Sequence, residues 1–416
     1  MEAIPIPAYV FTATRSYSKS RPEPVAAKHI KVAHLTSVHS VSDARIFHKE
    51  CVTLAGAGYE VVMVVPHSVE PISSGVRTRA VPVPTNRLQR MLKTVWQVFA
   101  TGQSERAVVY HFHDPELIPA AFLFKLRGSR VIYDVHEDLP RQIMNKQWIP
   151  GKLRKPVARI AETFELFAAR RFDGIVAATP AIARRFPGNK TITAHNFPVP
   201  EEFEPVIRIP AAQRPNWFAY VGGIDAIRGA REMVQAMDLL SPSSRARLIL
   251  AGTFDPPSLL DQVQTLSGWH HVSYLGWQSR PEVARLLGTS RAGLVVLHEH
   301  PHFVESYPVK LFEYMAAGLP VIASDFPLWR NIIEAEGCGL LVNPRDPAAI
   351  ARAILWILEH PQEAELMGHR GLNAVQTRYN WRHEGVKLTA FYQSLLADPS
   401  IRSAANALSE CPPQID

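Results

Sequence analysis

Twenty residues, Glu305-Ser-Tyr-Pro-Val-Lys-Leu-Phe-Glu313-Tyr-Met-Ala-Ala-Gly318-Leu-Pro-Val-Ile-Ala-Ser324, hold a loop, a helix and a strand in succession. Pro308 suits a helix's first turn, Gly318 stops it, and Val321–Ser324 continues as an apolar strand. Another apolar strand ends upstream near Leu297, so the stretch is a strand–helix–strand unit of a parallel sheet. The helix begins near Val309 and aims its free amides at the sheet's end, where an anion is favoured. Lys310 lies in that first turn against the helix dipole, a conflict that a bound dianion removes. Glu313 follows one turn later, about 6 Å along the axis. Its neighbours Leu311, Phe312, Tyr314 and Met315 are apolar, so its carboxylate needs a hydrogen-bonding partner. The hydroxyls of a ribose joined to the same diphosphate are natural donors.

The same alternation extends in both directions. Downstream of Pro215 the strands read Trp217–Val221, Arg247–Ala251, His271–Leu275, Gly293–Leu297, Pro320–Ala323 and Gly339–Val342. Helices are expected at Arg231–Leu240, Pro281–Leu287, Val309–Ala317 and Pro347–Glu359. Upstream, strands at 30–35, 61–65, 107–111, 131–133 and 174–178 alternate with helices at 44–58, 115–126, 156–171 and 180–186. A proline-rich stretch from Asn196 to Pro215 separates the two series and reads as a linker. The expected plan is α/β: two doubly wound Rossmann-like parallel-sheet domains facing a central cleft. Residues 28–195 form the first, 196–380 the second, and a helix at 381–396 returns toward the first. Residues 1–27 read as a flexible leader and 397–416 as a flexible tail.

Composition bounds the function. With 416 residues, the length implies two to three domains. Hydrophobic residues make up 47% and charged residues 20%, and mean hydropathy is −0.04; this excludes collagen, coiled coil and disorder along most of the length. No apolar run approaches the length of a membrane span. Cys51, Cys338 and Cys411 are scattered, with neither metal-ligand nor disulfide spacing, which fits a reducing cytoplasm. The net charge is +7, and residues 141–190 carry eleven Lys or Arg against three acids. With Trp148 and Phe186, that segment reads either as a solvated basic face or as a peripheral contact to an anionic membrane.

Ligands of such folds bind in loops that follow strands. Gly222 and Gly223 end one strand and allow close backbone approach to a diphosphate, which Arg228 can hold with two donors. His113 ends a strand in the first domain. Asp43, Arg45 and His48 follow another, and His136 and Glu137 follow a third. These five are candidates for an acceptor site.

The two glutamates with seven residues between them, followed by Ala-Gly-Leu-Pro-Val-Ile-Ala-Ser, resemble the signature of retaining, family-4 type glycosyltransferases of the GT-B fold. The resemblance runs from Lys31 to about Leu396. It implies that Glu313 binds the nucleotide ribose. Glu305 and His113 would lie beside the donor sugar, and Val309 and Lys310 at the diphosphate. Gly276 and Trp277 fall where that family holds the base, largely through backbone groups. Here Gly223 replaces an arginine usual in the glycine loop, and Arg228 stands for a lysine. The usual glycine-rich turn after the first strand is replaced by Thr36-Ser37-Val38-His39-Ser40.

The implied reaction moves a sugar from a nucleotide-diphosphate sugar to a saccharide or lipid-linked saccharide, in polysaccharide or lipopolysaccharide assembly. No cofactor and no metal are expected, and the place is the cytoplasm or the inner face of its membrane. The alternatives are a nucleotide-sugar epimerase of similar shape and a non-catalytic sugar-nucleotide-binding partner. No Gly-x-Gly-x-x-Gly follows the first strand, which disfavours a nicotinamide enzyme. No nucleic-acid reading motif is recognisable.

Overall fold

The valine run Glu60–Pro66 shows why these strands form a sheet covered on both faces: Val61 to Val65 are all essentially inaccessible to solvent. A computed structural model describes residues 30–67, 74–146, 149–204 and 209–397. The expected leader, Trp148, part of the linker and the tail beyond Ala397 lie outside them.

The first sheet comprises β1 (Lys31–Leu35), β2 (Glu60–Pro66), β3 (Val76–Val81), β4 (Val109–Phe112), β5 (Arg130–Val135), β6 (Gly174–Ala177) and β7 (Thr191–Thr193). Their order is β3-β2-β1-β4-β5-β6-β7, with parallel pairings throughout. The second comprises β8 (Trp217–Val221), β9 (Arg247–Ala251), β10 (Val272–Gly276), β11 (Ala292–Val295), β12 (Val321–Ser324) and β13 (Gly339–Val342). Their order is β10-β9-β8-β11-β12-β13, again parallel. The direction of winding reverses between β1 and β4 and between β8 and β11. The loops at those two switch points form the walls of the cleft.

Sequence periodicity misses the edge strands β3 and β7. In β3, Val76 and Val81 are buried while Arg77 and Ala80 stay exposed, a charged edge that discourages pairing with other chains. The expected helix at 44–58 is a π-type turn, Ile46–Cys51, running into the short helix Val52–Gly56. The helix expected from Pro156 begins at Gly151, with Pro156 still near its exposed N-terminal end. The linker is anchored on the second domain. Phe197 and Phe203 are buried in that domain's core, and the Phe197 ring packs edge-on against Phe312, 4.7 Å between centroids.

The helix Trp381–Leu395 leaves the second domain and packs on the first. Trp381, Leu388 and Tyr392 enter the core beside β2, Trp381 Nε1 donates to Thr53 Oγ1 at 2.8 Å, and the Tyr392 hydroxyl bonds His111 Nδ1 at 2.8 Å. Gly174 makes room for the Phe391 ring, since a Cβ there would fall 2.4 Å from it.

Trp381→Ala therefore removes a large buried ring and a hydrogen bond at the junction of the domains. The expected cost is about 3–5 kcal/mol, read as a lowered denaturation midpoint of the first domain. An unchanged midpoint would show that this helix does not hold the domains together.

Candidate functional site

A cleft cavity of about 500 Å³ opens between the two switch points. On the second domain's side, Pro308 caps the helix Val309–Ala316 with no side chain bonded to its first-turn amides. Val309 and Lys310 line the cavity. The Lys310 ammonium is shielded from solvent and has no hydrogen-bond partner among the described residues. It lies 3.7 Å from the centre of the Tyr220 ring. Burial, and then the Arg228 charge, push it well below the ordinary lysine range. A buried ammonium without a counter-ion is a costly arrangement, and a bound anion relieves it.

Gly222 (φ +111°) and Gly223 also line the cavity. A Cβ on Gly223 would fall 2.4 Å from Arg228 Nη1, so glycine there leaves the guanidinium its space. Arg228 Nη1 donates to the Gly223 carbonyl at 3.3 Å, and Nε lies 3.4 Å from Asp225. The loop is fixed from behind by Tyr314, whose hydroxyl accepts from the Val221 amide at 2.9 Å. Its ring packs where Gly293 of β11 has no side chain.

Glu305 lines the cavity with its carboxylate about half exposed, and Arg141 of the first domain reaches across the cleft to it at 2.5 Å. Glu313 is buried, and its partner is Arg280: Nη1 donates to Oε1 at 2.5 Å, while the same guanidinium pairs with Glu202. Its carboxylate is turned to the linker side of the helix, outside the cavity lining. Near it, Lys49 Nζ donates to Asn196 Oδ1 at 2.5 Å, and burial brings this lysine down to about 8. Sequence reading missed Arg280 and Lys49; Arg280 opens a helix capped by the Ser279–Glu282 pair, the one local signal for it.

Several first-domain candidates are displaced from their expected places. His113 is buried inside the domain. The strand register sets His34 beside His111, and alternation puts His113 on the same face. Its Nδ1 bonds Asp134 Oδ2 at 3.0 Å and its Nε2 meets His34 Nδ1 at 3.0 Å. Neither nitrogen is left for a sugar, and burial lowers its proton affinity. His136 stands at the cleft wall instead, with Nε2 2.6 Å from Asp134 Oδ2. Arg45 turns inward: Nε and Nη2 grip Asp134 at 3.0 and 2.8 Å, and Nη1 reaches the Ala194 carbonyl. His48 lies outside the cavity lining, whereas Asp43, Arg45, His136 and Glu137 belong to it. Asp43 caps the turn through the amides of Arg45 and Ile46 and pairs with His39 at 2.9 Å. The unusual Thr36–Ser40 turn is explained by Asp114, whose Oδ2 accepts from Thr36 Oγ1 and the Ser37 amide, both at 2.7 Å. Trp277, expected near a base, is 72% exposed at the sheet edge and outside the cavity, next to Gly276 (φ +68°). Phe186, expected on a basic face, is buried in the core.

Donor atoms of Glu50, His111, His113 and Asp134 lie within 4.8 Å of one another, the spacing of a metal site. The Arg45 guanidinium already sits in that group, 3.0 Å from Glu50 Oε1 and bidentate on Asp134. Burial opposes ionisation of Asp134, yet Arg45 and then His136 hold it well below the usual carboxylate range. Burial and Asp134 raise Glu50 well above it. A cation is thus already supplied by the chain.

Residues 44–200 match the family model described as Glycosyl transferase 4-like domain, and residues 205–373 match Glycosyl transferases group 1. The chain is 28% identical over 191 residues to O-antigen chain mannosyltransferase B of Escherichia coli, covering 44% of this chain and 47% of that protein. It is 28% identical over 155 residues to D-rhamnosyltransferase WbpZ of Pseudomonas aeruginosa, covering 37% and 39%. The match thus spans less than half the length of either relative. Sucrose-phosphate synthase from Thermosynechococcus elongatus superposes with a TM-score of 0.68 at 19% identity, over 88% of this chain and 99% of that one. Anabaena HepE in complex with UDP-glucose gives 0.66 at 13%, over 88% and 100%.

The ionised Asp134 yields a stability prediction. Its folded pKa is depressed, so its contribution is complete above the unfolded value of about 3.9 and is lost as pH falls below that. Asp134→Asn leaves the buried Arg45 without its ionised partner, an expected loss of about 3–5 kcal/mol. Thermal melts of the variant should also lose part of the wild-type drop between about pH 5 and pH 3. Melting curves that superpose at every pH would refute this account of the first domain's wall.

Proposed function

We propose that this chain, a glycosyl transferase 4-like half joined to a glycosyl transferases group 1 half on the GT-B fold, moves a sugar with retention. The donor is a nucleotide-diphosphate sugar, and the acceptor a saccharide or lipid-linked saccharide in polysaccharide or lipopolysaccharide assembly. The carrying observation is the partnerless Lys310 ammonium at the start of an uncapped helix, with Gly222, Gly223 and Arg228 around the same cavity. The likeness to HepE, whose structures hold UDP and UDP-glucose, supports a nucleotide-sugar donor. The names of the mannosyl- and rhamnosyltransferase relatives support a hexosyl group and a glycan chain as acceptor.

As the bond from the sugar's anomeric carbon to the phosphate oxygen breaks, its electron pair passes to the diphosphate. Lys310, Arg228 and the amides near Val309 are fixed donors for that growing charge. They supply positive charge from the protein, and the reaction is proposed to need neither metal nor cofactor. Glu305 and His136 flank the space for the sugar as it gains oxocarbenium character. The acceptor hydroxyl bonds to the anomeric carbon on the face the phosphate leaves, and its proton goes to the departing phosphate oxygen. Ribose binding at Glu313 requires its carboxylate to exchange the Arg280 contact for sugar hydroxyls.

Lys310→Met tests the reading in two directions. It removes a buried ammonium without a partner, so the free protein should melt higher. Binding of UDP or GDP should weaken at least tenfold by calorimetry. In the wild type, an anion raises the depressed lysine pKa, so binding takes up protons and weakens as pH rises. Unchanged affinity in the variant would remove the diphosphate site. Incubation with a panel of donor sugars and glycan acceptors, followed by NMR of the product, reads the anomeric configuration. An inverted product, or conversion of the donor without acceptor, would overturn retaining transfer.

A further inference from the structure

The cleft does not use the helical layer formed by Arg87–Ser104, Ile118–Leu126 and Gly151–Arg171, which covers one face of the first sheet. On the helix Gly151–Arg171, five large apolar side chains point away from the core: Leu153, Val157, Ile160, Phe164 and Phe167. Ile160 is 71% exposed, and the two phenylalanines are nearly half exposed. At roughly 100° per residue these positions fall within an arc of about 80° and extend about 21 Å along the axis. The buried face, with Ala158, Glu165, Ala168 and Ala169, is a separate arc. The helix therefore has a second apolar stripe that the described residues leave substantially uncovered.

Charge is sorted around this stripe. Lys152, Lys155, Arg159 and Arg170 lie on its other flank and are exposed. Arg171 stacks on the Phe167 ring, 4.6 Å from its centre. Of the helix's two acids, Glu165 is buried and pairs with Arg185 at 2.6 Å, while Glu162, its side chain 42% exposed, lies 3.8 Å from Arg185. The exposed side of the helix thus carries Lys152, Lys155, Arg159, Arg170 and Arg171 against that one acid. The neighbouring helical segment repeats the pattern, with Leu88, Met91, Leu92 and Trp96 all more than half exposed and Lys93 among them. No helix of the described residues is long and apolar enough to cross a membrane.

We propose that this layer is a docking face for an anionic phospholipid bilayer. The Gly151–Arg171 helix would lie in the interface plane, its apolar stripe among the acyl chains and its cations at the phosphates. Charge complementarity selects this occupant: an apolar stripe flanked by an excess of cations fits lipid phosphates, and two copies of the same face would oppose like charges. The Leu139–Asn145 helix, which carries the cleft residue Arg141, precedes the docking helix and packs on it through Ile143, Ile149 and Ala158. Docking thus brings the cleft mouth to the membrane, where a lipid-linked acceptor would be presented. The surface is separate from the donor site, so transfer to a soluble acceptor can persist where docking fails.

The test is flotation of the full chain with vesicles of phosphatidylcholine containing about 30% phosphatidylglycerol, against pure phosphatidylcholine, at low and high salt. Binding is expected on the anionic vesicles, weakened by salt. Exposed-site charge insertion, I160E with F164E, should abolish it with the melting temperature unchanged. Lys155→Ser with Arg159→Ser should weaken it by roughly fivefold for each cation removed. Donor calorimetry on the same variants should be unaffected. No flotation at low salt, flotation indifferent to these substitutions, or a lipid-free dimer that I160E with F164E dissociates would each overturn the proposal.

Discussion

A positive charge buried without its counter-ion organises the second domain. Lys310 could have been replaced by an apolar residue of equal length at a gain in stability. Instead the surroundings accommodate it: the Tyr220 face offers partial compensation, and Gly222 keeps bulk away from the ammonium. Arg228 adds a second cation that makes the site more hostile to Lys310 alone. Tyr314, braced in the gap at Gly293, holds the glycine loop against β8. These choices make sense together when the missing partner is a dianion entering from the cleft.

The opposite wall is built on the reverse logic. Arg45, Asp134, Glu50 and the histidines of β1 and β4 are buried deeper than Lys310, and their charges pair, Arg45 gripping Asp134 and lying 3.0 Å from Glu50, although both Glu50 oxygens, His34 Nε2 and His111 Nε2 make no hydrogen bond among the described residues. They reach the cleft through Arg45 itself and through His136, which Asp134 holds. One wall is internally neutral and presents a shaped polar surface; the other is electrostatically incomplete. The separation suits a reaction in which charge accumulates on one partner, the leaving diphosphate, while the sugar and acceptor need orientation.

The sequence reveals this division unevenly. The parallel strands are legible because burial on both faces leaves continuous apolar runs such as Val61–Val65. The helix at Val309 is legible because proline, glycine and the lysine–dipole conflict fall within ten residues. His113 misleads, and the guanidinium of the cleft-lining Arg45 turns inward, because sequence places a residue at a strand's end without saying which way its side chain turns. The inward turn follows from pairings with His34 and Asp134, far along the chain. Arg280 and Lys49 are invisible for a similar reason: their meaning comes from Glu313 and Asn196, which folding alone brings near. The docking stripe is legible as periodicity, yet its exposure depends on which face of the helix the sheet takes.

Contacts between the domains differ in strength, and the difference sets how the cleft can move. Trp381 and Tyr392 are buried and hydrogen-bonded across the junction. Arg141 and Glu305 meet across the mouth with both side chains nearly half exposed. An exposed pair of this kind contributes about 0–1 kcal/mol, several times less than a buried aromatic anchor. The junction therefore acts as the pivot and the mouth as the yielding end. Since Glu305 is the carboxylate proposed to meet the sugar, an entering donor would break this weak bridge. The bridge thus gives that carboxylate a partner across the cleft without setting a large barrier to a substrate.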